Sequence, residues 1–372
     1  MTGVTAAWPM FRGERGNTGS CDFAHPVEMP TVKWKKRIGS MVYASPLAGS
    51  AVLVQAIGEG GAYIGAYGFE DGATLWQHEL TFFPSPHWVT GYLDGEELVF
   101  TDYRNIVVLD VKTGLVVKSK GLADGWAAVS APVCVSHRIL VAGNDSTLYA
   151  LSRESLDVLW TFKADGGVIY SSPATDGERV FFATCGMRTG TLYAVDLLTG
   201  EQVWKESMPE DGEVLRHSAT VADGRVFVQA GVDGASTRAF DSTTGRGLWG
   251  RRLEPAGGPA AMPLHNVGSS PAYRTGHLYA NTLGGSVHCV SASDGEPVYS
   301  LRVAEMIESA PVVTETAVYC IGSDGTVCAI EASDGTARWS IELAEGVVGS
   351  PCVTTDEICI GTTVGSLVCL AW

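Results

Sequence analysis

One slot recurs along the chain, three residues before a proline that opens a short apolar strand. It is filled by Tyr43, Trp88, Val129, Tyr170, His217, Gly268, Glu308 and Val348. An imidazole, a carboxyl, two phenols and an indole gathered in one place would make an acid/base site that needs no cofactor. His217 is the candidate proton acceptor, because imidazole titrates close to working pH. Glu308 is the candidate acid or orienting partner, provided that partial burial raises its pKa. Tyr43 and Tyr170 can hydrogen-bond a developing oxyanion, and Trp88 can stack on a planar or cationic group. Candidate ligand contacts nearby in the chain are His87, Trp126, Arg216, His265, Asn266 and Met306, with Tyr103, Arg104, Met187, Arg188, Asn281 and Asp324 from neighbouring loops. A water-filled channel is also lined by polar residues, so the plainer alternative is a channel wall with no ligand.

What would bring these residues together is an internal repeat. One phrase joins a Ser-Pro or Ala-Pro to Asp-Gly and an apolar strand, as in SSPATDGERVFF from Ser171. Its proline slot holds Pro46, Pro132, Pro173, Pro271, Pro311 and Pro351, with Gly91 and Thr220 in two weaker copies anchored by Asp94-Gly95 and Asp223-Gly224. The eight copies are 45, 41, 41, 47, 51, 40 and 40 residues apart. A second phrase, LYAVDLLTGEQVW at 192–204, falls between them. Its Trp slot holds Trp34, Trp76, Trp160, Trp204, Trp249 and Trp339, with Lys118 and Tyr299 in the divergent copies. Alternating apolar residues between these turns read as strands. Four short strands in roughly 40 residues are a propeller blade. The expectation is therefore all-β: a single eight-bladed propeller spanning 1–372, with four-stranded antiparallel blades.

An open propeller would expose strand edges, so the ring must close. The chain ends at Trp372, after the third strand of the eighth unit, and the missing Trp-bearing strand lies at 31–37 (TVKWKKR). The N-terminal strand is expected to complete the last blade. In such a ring the connections entering the innermost strands gather around the channel on one face, where residues of separate blades can converge on a ligand. The longest insertion, 254–268, falls on that face, as does FFPSPHWVTGY from Phe82; both are candidate lids.

The N-terminal WPMFRGERGNTG and the repeated LYA…TG…W phrase resemble the quinoprotein-like eight-bladed propellers, over essentially the whole chain. The resemblance implies that each Trp packs between neighbouring blades. It carries little about function, since fold does not fix function. Three branches bear on this chain. Pyrroloquinoline quinone dehydrogenases use calcium and carry adjacent, disulfide-bonded cysteines; this sequence has no adjacent cysteines and no Asp-x-Asp-x-Asp loop. The periplasmic lipoprotein that scaffolds outer-membrane protein assembly needs a lipid-attachment cysteine, and the residues before Cys21 form no lipobox. Stand-alone cytoplasmic propellers, some similar to biosynthetic proteins, are the branch it looks most like.

Composition narrows the partners. Lys plus Arg is 25 against 41 Asp plus Glu, a net charge of −16, which disfavours nucleic acid and an anionic membrane surface. The N-terminus shows no basic region followed by an apolar run, so a cytoplasmic location is expected. Nine scattered cysteines without a Cys-x-x-Cys read as reduced thiols, mostly core-packing, with Cys185 in a loop-bound segment. The Asp-Gly pairs read as turns rather than metal loops. Two functions of different class follow: a monomer with a small-molecule or peptide site at the mouth, extending to cofactor-independent cyclisation or isomerisation chemistry, or a scaffold that docks a protein partner. Neither needs a cofactor. Calorimetric titration with pyrroloquinoline quinone and calcium is expected to give no binding heat. Micromolar affinity with alcohol oxidation would restore the dehydrogenase branch.

Overall fold

The structure is a computed structural model that describes residues 8–81, 90–102, 104–122, 130–186, 190–208, 217–231, 235–254 and 269–372. Eight four-stranded antiparallel sheets make up a ring. Seven are consecutive hairpins; blade 4, for example, runs Ala174–Thr175, Arg179–Cys185, Gly190–Asp196 and Gln202–Ser207 from the axis outward. The eighth joins the two ends of the chain. Thr31–Arg37 pairs with Ser366–Ala371, with Trp34 opposite Cys369, and so supplies the fourth strand that the C-terminus lacks. The second and third strands of each blade are almost continuously buried, because neighbouring blades cover both faces. The outermost strands alternate instead, as in the buried Trp204 flanked by exposed neighbours.

The Trp slot ties each blade to the next. The indole nitrogens of Trp34, Trp76, Trp160, Trp204 and Trp249 donate to carbonyls of Phe69, Val111, Leu197, Ser242 and Ala292, each in the following blade. The indoles lie flat over a turn glycine. A Cβ at Gly200, where φ is +73°, would stand 2.5 Å from Trp160, so this position requires glycine twice over. The residue paired with the Trp must be small. It is Ala66, Ala150, Ala194, Ala239 or Ala329, and in blade 8 Cys369; Cys289 stands opposite Tyr299 in the same way. In the divergent copies the Lys118 ammonium reaches the carbonyls of Arg153 and Glu154, and the Tyr299 hydroxyl those of Glu331 and Ala332. Trp339 alone of the six leaves its N–H without a partner. The blade it faces is the eighth, which is built from both chain ends and has no turn between third and fourth strands.

A feature absent from the repeat pattern lies at the axis. Residues 8–25 run inside the ring of innermost strands and touch the blades in order. Trp8 bridges Ala48, and the Pro9, Arg15, Gly16, Thr18 and Gly19 carbonyls accept from Leu93, Thr175, Val221, Tyr273 and Val313. His25 then bonds Tyr319 and the Thr354 carbonyl and stacks on Trp372, its centroid 4.1 Å from that of the indole. The strap makes one turn around the axis, at the end of the channel opposite the expected mouth. Its residues Gly16–Gly19 are buried.

Trp34→Ala removes the indole that closes the ring and is expected to cost about 3–5 kcal/mol, or about 4–6 °C in Tm for a chain of this length. Deleting residues 1–37 removes strap and closing strand together. The shortened protein is expected to aggregate on light scattering; a soluble monomer melting with the full chain would contradict this account of closure.

Candidate functional site

The innermost strands are two or three residues long, so the residues just before them line the axis. The position immediately preceding the proline slot's strand carries a chain of hydroxyls. Ala131 N donates to Ser172 Oγ, Ser172 N to Ser218 Oγ, Ser218 N to Ser270 Oγ, Ala310 N to Ser350 Oγ, and Ser350 N to Ser45 Oγ. Each bond crosses from one blade to the next. The links lapse where the receiving blade has alanine, at Ala131 and Ala310, and between blades 1 and 2 the Thr90 hydroxyl donates to the Ser45 carbonyl instead. The Ser-Pro dipeptides were the sequence signal for this necklace. One residue earlier, the hydroxyls of Ser130, Ser171 and Ser309 close back on the second strand of their own blade at Ala142, Ala183 and Ile321.

This frame corrects one placement. Thr220 pairs with Phe227 as Ala174 pairs with Phe181, so blade 5 has Ala219, not Thr220, in the proline slot. Asn17 Nδ2 contacts the carbonyls of both Pro173 and Ala219, which confirms the equivalence. Alignment on Asp-Gly failed here because Asp223 and Gly224, both at positive φ, are themselves the two-residue turn. In blade 2, Asp94 is still paired with Glu97. His217 therefore occupies the position of Ser171, and Arg216 that of Tyr170. The His217 ring turns to the next blade, with Nδ1 3.1 Å from the Ser269 carbonyl. A carbonyl only accepts, so Nδ1 carries a proton; in the neutral form of the ring the lone pair is then on Nε2.

Glu308 and Tyr43 do share one environment. Glu308 is 6% exposed and Tyr43 9%. The Glu308 Oε2 atom has no hydrogen-bond partner. Burial raises the Glu308 pKa; the Ser323 hydroxyl lies close enough to oppose the shift in part but falls outside hydrogen-bond geometry. The Tyr43 phenol is also raised, first by burial and then by the Glu308 charge. Tyr170, His217 and Met306 are half-buried, and Arg104 is exposed. Trp88, Trp126, His87, Arg216, His265, Asn266, Tyr103 and Arg188 lie outside the described residues, as do Met187 and most of the 254–268 insertion. Asn281 is fully buried and structural: its amide donates to the Ser309 carbonyl and its own carbonyl accepts from Gln229.

Sequence reasoning missed Glu254, the first residue of the insertion. Its Oε1 accepts from Thr282 at 2.6 Å and lies 3.4 Å from His288 Nε2. Burial lowers the His288 pKa, with Glu254 opposing. None of the nine cysteines is in a disulfide; eight are buried and Cys185 is half-buried. Burial pushes Cys21, Cys134, Cys289 and Cys328 up to about 12, so these behave as packing groups. Among the described residues no group of three or more His, Cys, Asp or Glu side chains could hold a metal ion.

The raised carboxyl makes a testable difference. A carboxyl whose folded pKa lies above its unfolded value loses stability as pH rises between the two. Glu308→Gln abolishes that loss. The Tm of Glu308→Gln relative to wild type is expected to rise as pH increases from about 4.5 towards 8. A flat difference would show that Glu308 is solvated.

Comparison with known proteins agrees with this architecture. The family described as outer membrane protein assembly factor BamB, a PQQ-type repeat family, matches residues 60–169, 164–266 and 233–371. No curated protein is detectably similar in sequence. Among solved structures, BamB from Moraxella catarrhalis is 16% identical with a TM-score of 0.70, covering 92% of this chain and 100% of its own. A europium-containing methanol dehydrogenase is 15% identical with a TM-score of 0.79, covering 99% and 98%. The quinohemoprotein alcohol dehydrogenase of Comamonas testosteroni is 13% identical with a TM-score of 0.80, covering 98% and 80%. At these identities the likeness is one of fold. The repeat match spans most of the chain, and the chain belongs to the BamB-type PQQ-repeat propeller family.

Proposed function

We propose that the protein binds a small molecule or short peptide at the channel mouth and acts on it by acid/base chemistry without a cofactor. The observation that carries this is Glu308: a carboxyl almost wholly removed from water, with one oxygen unpartnered, beside the Tyr43 phenol. Leaving a buried polar atom unsatisfied costs about 1–3 kcal/mol, and a ligand group that pairs with it recovers that cost. In this reading burial favours the protonated form of Glu308, which acts as the acid, His217 is the proton acceptor, and Tyr43 and Tyr170 hold an oxygen on which charge develops. Ring closures and isomerisations need a proton placed and a proton removed, and no electron carrier. A cytoplasmic site of action fits the free thiols.

Incubation with a metabolite extract, followed by mass spectrometry, tests this. Wild type should deplete a compound and produce an isomer or dehydrated ring that Glu308→Gln does not. His217→Ala should lower the rate by about 10²–10⁴, and Tyr43→Phe by about 10²–10³. No compound changed or retained by wild type would remove the proposal.

A second reading is a protein-docking scaffold, as the family description suggests. Its specific support is the run of exposed apolar residues on outer strands and turns of blades 1 to 3: Leu75, Leu115, Val116, Val117, Val158 and Leu159. On that reading Val117→Lys abolishes partner capture while Glu308→Gln leaves it intact.

A further inference from the structure

The strap holds a charge that no carboxylate among the described residues balances. Arg12 is 2% exposed. Its Nε donates to the Asn17 carbonyl at 3.0 Å and its Nη2 to the Pro271 carbonyl at 2.7 Å. Both acceptors are neutral. No hydrogen bond is made by Nη1, and among the described residues no carboxylate forms an ion pair with Arg12, although the chain carries 41 Asp and Glu. Beside it, Asn17 spends both amide protons on the Pro173 and Ala219 carbonyls and leaves Oδ1 unpartnered.

The strap is folded around this guanidinium. The Gly19 N–H returns to the Arg12 carbonyl, and a Cβ on Gly19 would stand 2.4 Å from Arg12 Nη2. Arg12 and Asn17 themselves adopt left-handed backbone conformations, with φ of 61° and 56°. Such strain in non-glycine residues persists where surroundings impose it, and it clusters at ligand clamps. Burial lowers the Arg12 pKa to about 9, which leaves it charged at neutral pH. A buried charge is tolerated when a counter-charge accompanies it. A water molecule could satisfy Nη1 and Asn17 Oδ1 but would leave the charge uncompensated.

We propose that the axial floor of the ring is an anion site, in which Arg12 holds a small monovalent anion. The anion is either a free halide or the carboxylate of a molecule seated in the channel; both present the same charge to the guanidinium. The site is distinct from Glu308, which lies three residues before Pro311 in blade 7, whereas the Arg12 guanidinium is held by the carbonyls of Asn17 in the strap and Pro271 in blade 6.

Bromide is the probe. In crystals of the full chain soaked in bromide, an anomalous peak is expected in contact with Arg12 Nη1. Its absence, or an ordinary water there, overturns the proposal. In solution, bromide at ten times its Kd should raise the wild-type Tm by about 2 °C more than that of Arg12→Met, which reports only general salt effects. Equal shifts count against the site. If Arg12→Met does not fold, the anomalous map on wild type decides alone. Acetate separates the sources: displacement of the bromide peak by acetate identifies a carboxylate-accepting site, and persistence identifies a halide site.

Discussion

The pairing of Thr31–Arg37 with Ser366–Ala371 is the constraint on which the rest of the molecule depends. Seven blades are complete within themselves, but a ring of sheets has no stable state with one blade short of a strand. The unpaired edge and the turn glycine of blade 1 would face water together. Bringing residues more than 300 positions apart into register carries a large loop-closure entropy, offset by the buried seam between blades 8 and 1. Trp34 fills that seam, with its N–H on the Phe69 carbonyl and its ring over Gly72.

Closure also determines what the axis can be. Because the blades are held at fixed positions, their innermost strands need only two or three residues each, and the backbone groups facing the axis require partners of their own. Two devices supply them. The serine hydroxyls link successive blades in a partial ring. The strap of residues 8–25 then satisfies one blade after another, ending where His25 meets Trp372 and the chain turns into the closing strand. Strap and closing strand are thus one continuous structural element, and the N-terminal region does more than donate a strand.

Against this well-satisfied frame, the polar groups left without partners stand out. Most of the buried hydroxyls and amides near the axis are bonded, and even Cys320 donates to Asn281. Glu308 Oε2 on one side and the Arg12 guanidinium on the other are not balanced in the same way. Glu308 Oε2 has no hydrogen-bond partner, and Arg12 is held only by neutral carbonyls.

The repeat made the architecture legible in the sequence. Proline slots, Asp-Gly turns and Trp slots recur because each blade solves the same packing problem with the same local chemistry, and a short C-terminal unit announced its missing strand. Tyr43 and Glu308 were also legible as residues of one slot. What the sequence could not decide was register and what crosses the axis. His217 moved by one position because a turn of two residues and a turn of four look alike when only Asp-Gly is read. The strap has no repeat at all, since each of its residues meets a different blade. Arg12 looked like one basic residue among 25. Its lack of an ion pair with any carboxylate among the described residues emerges only in the folded ring, which brings the Pro271 carbonyl to it.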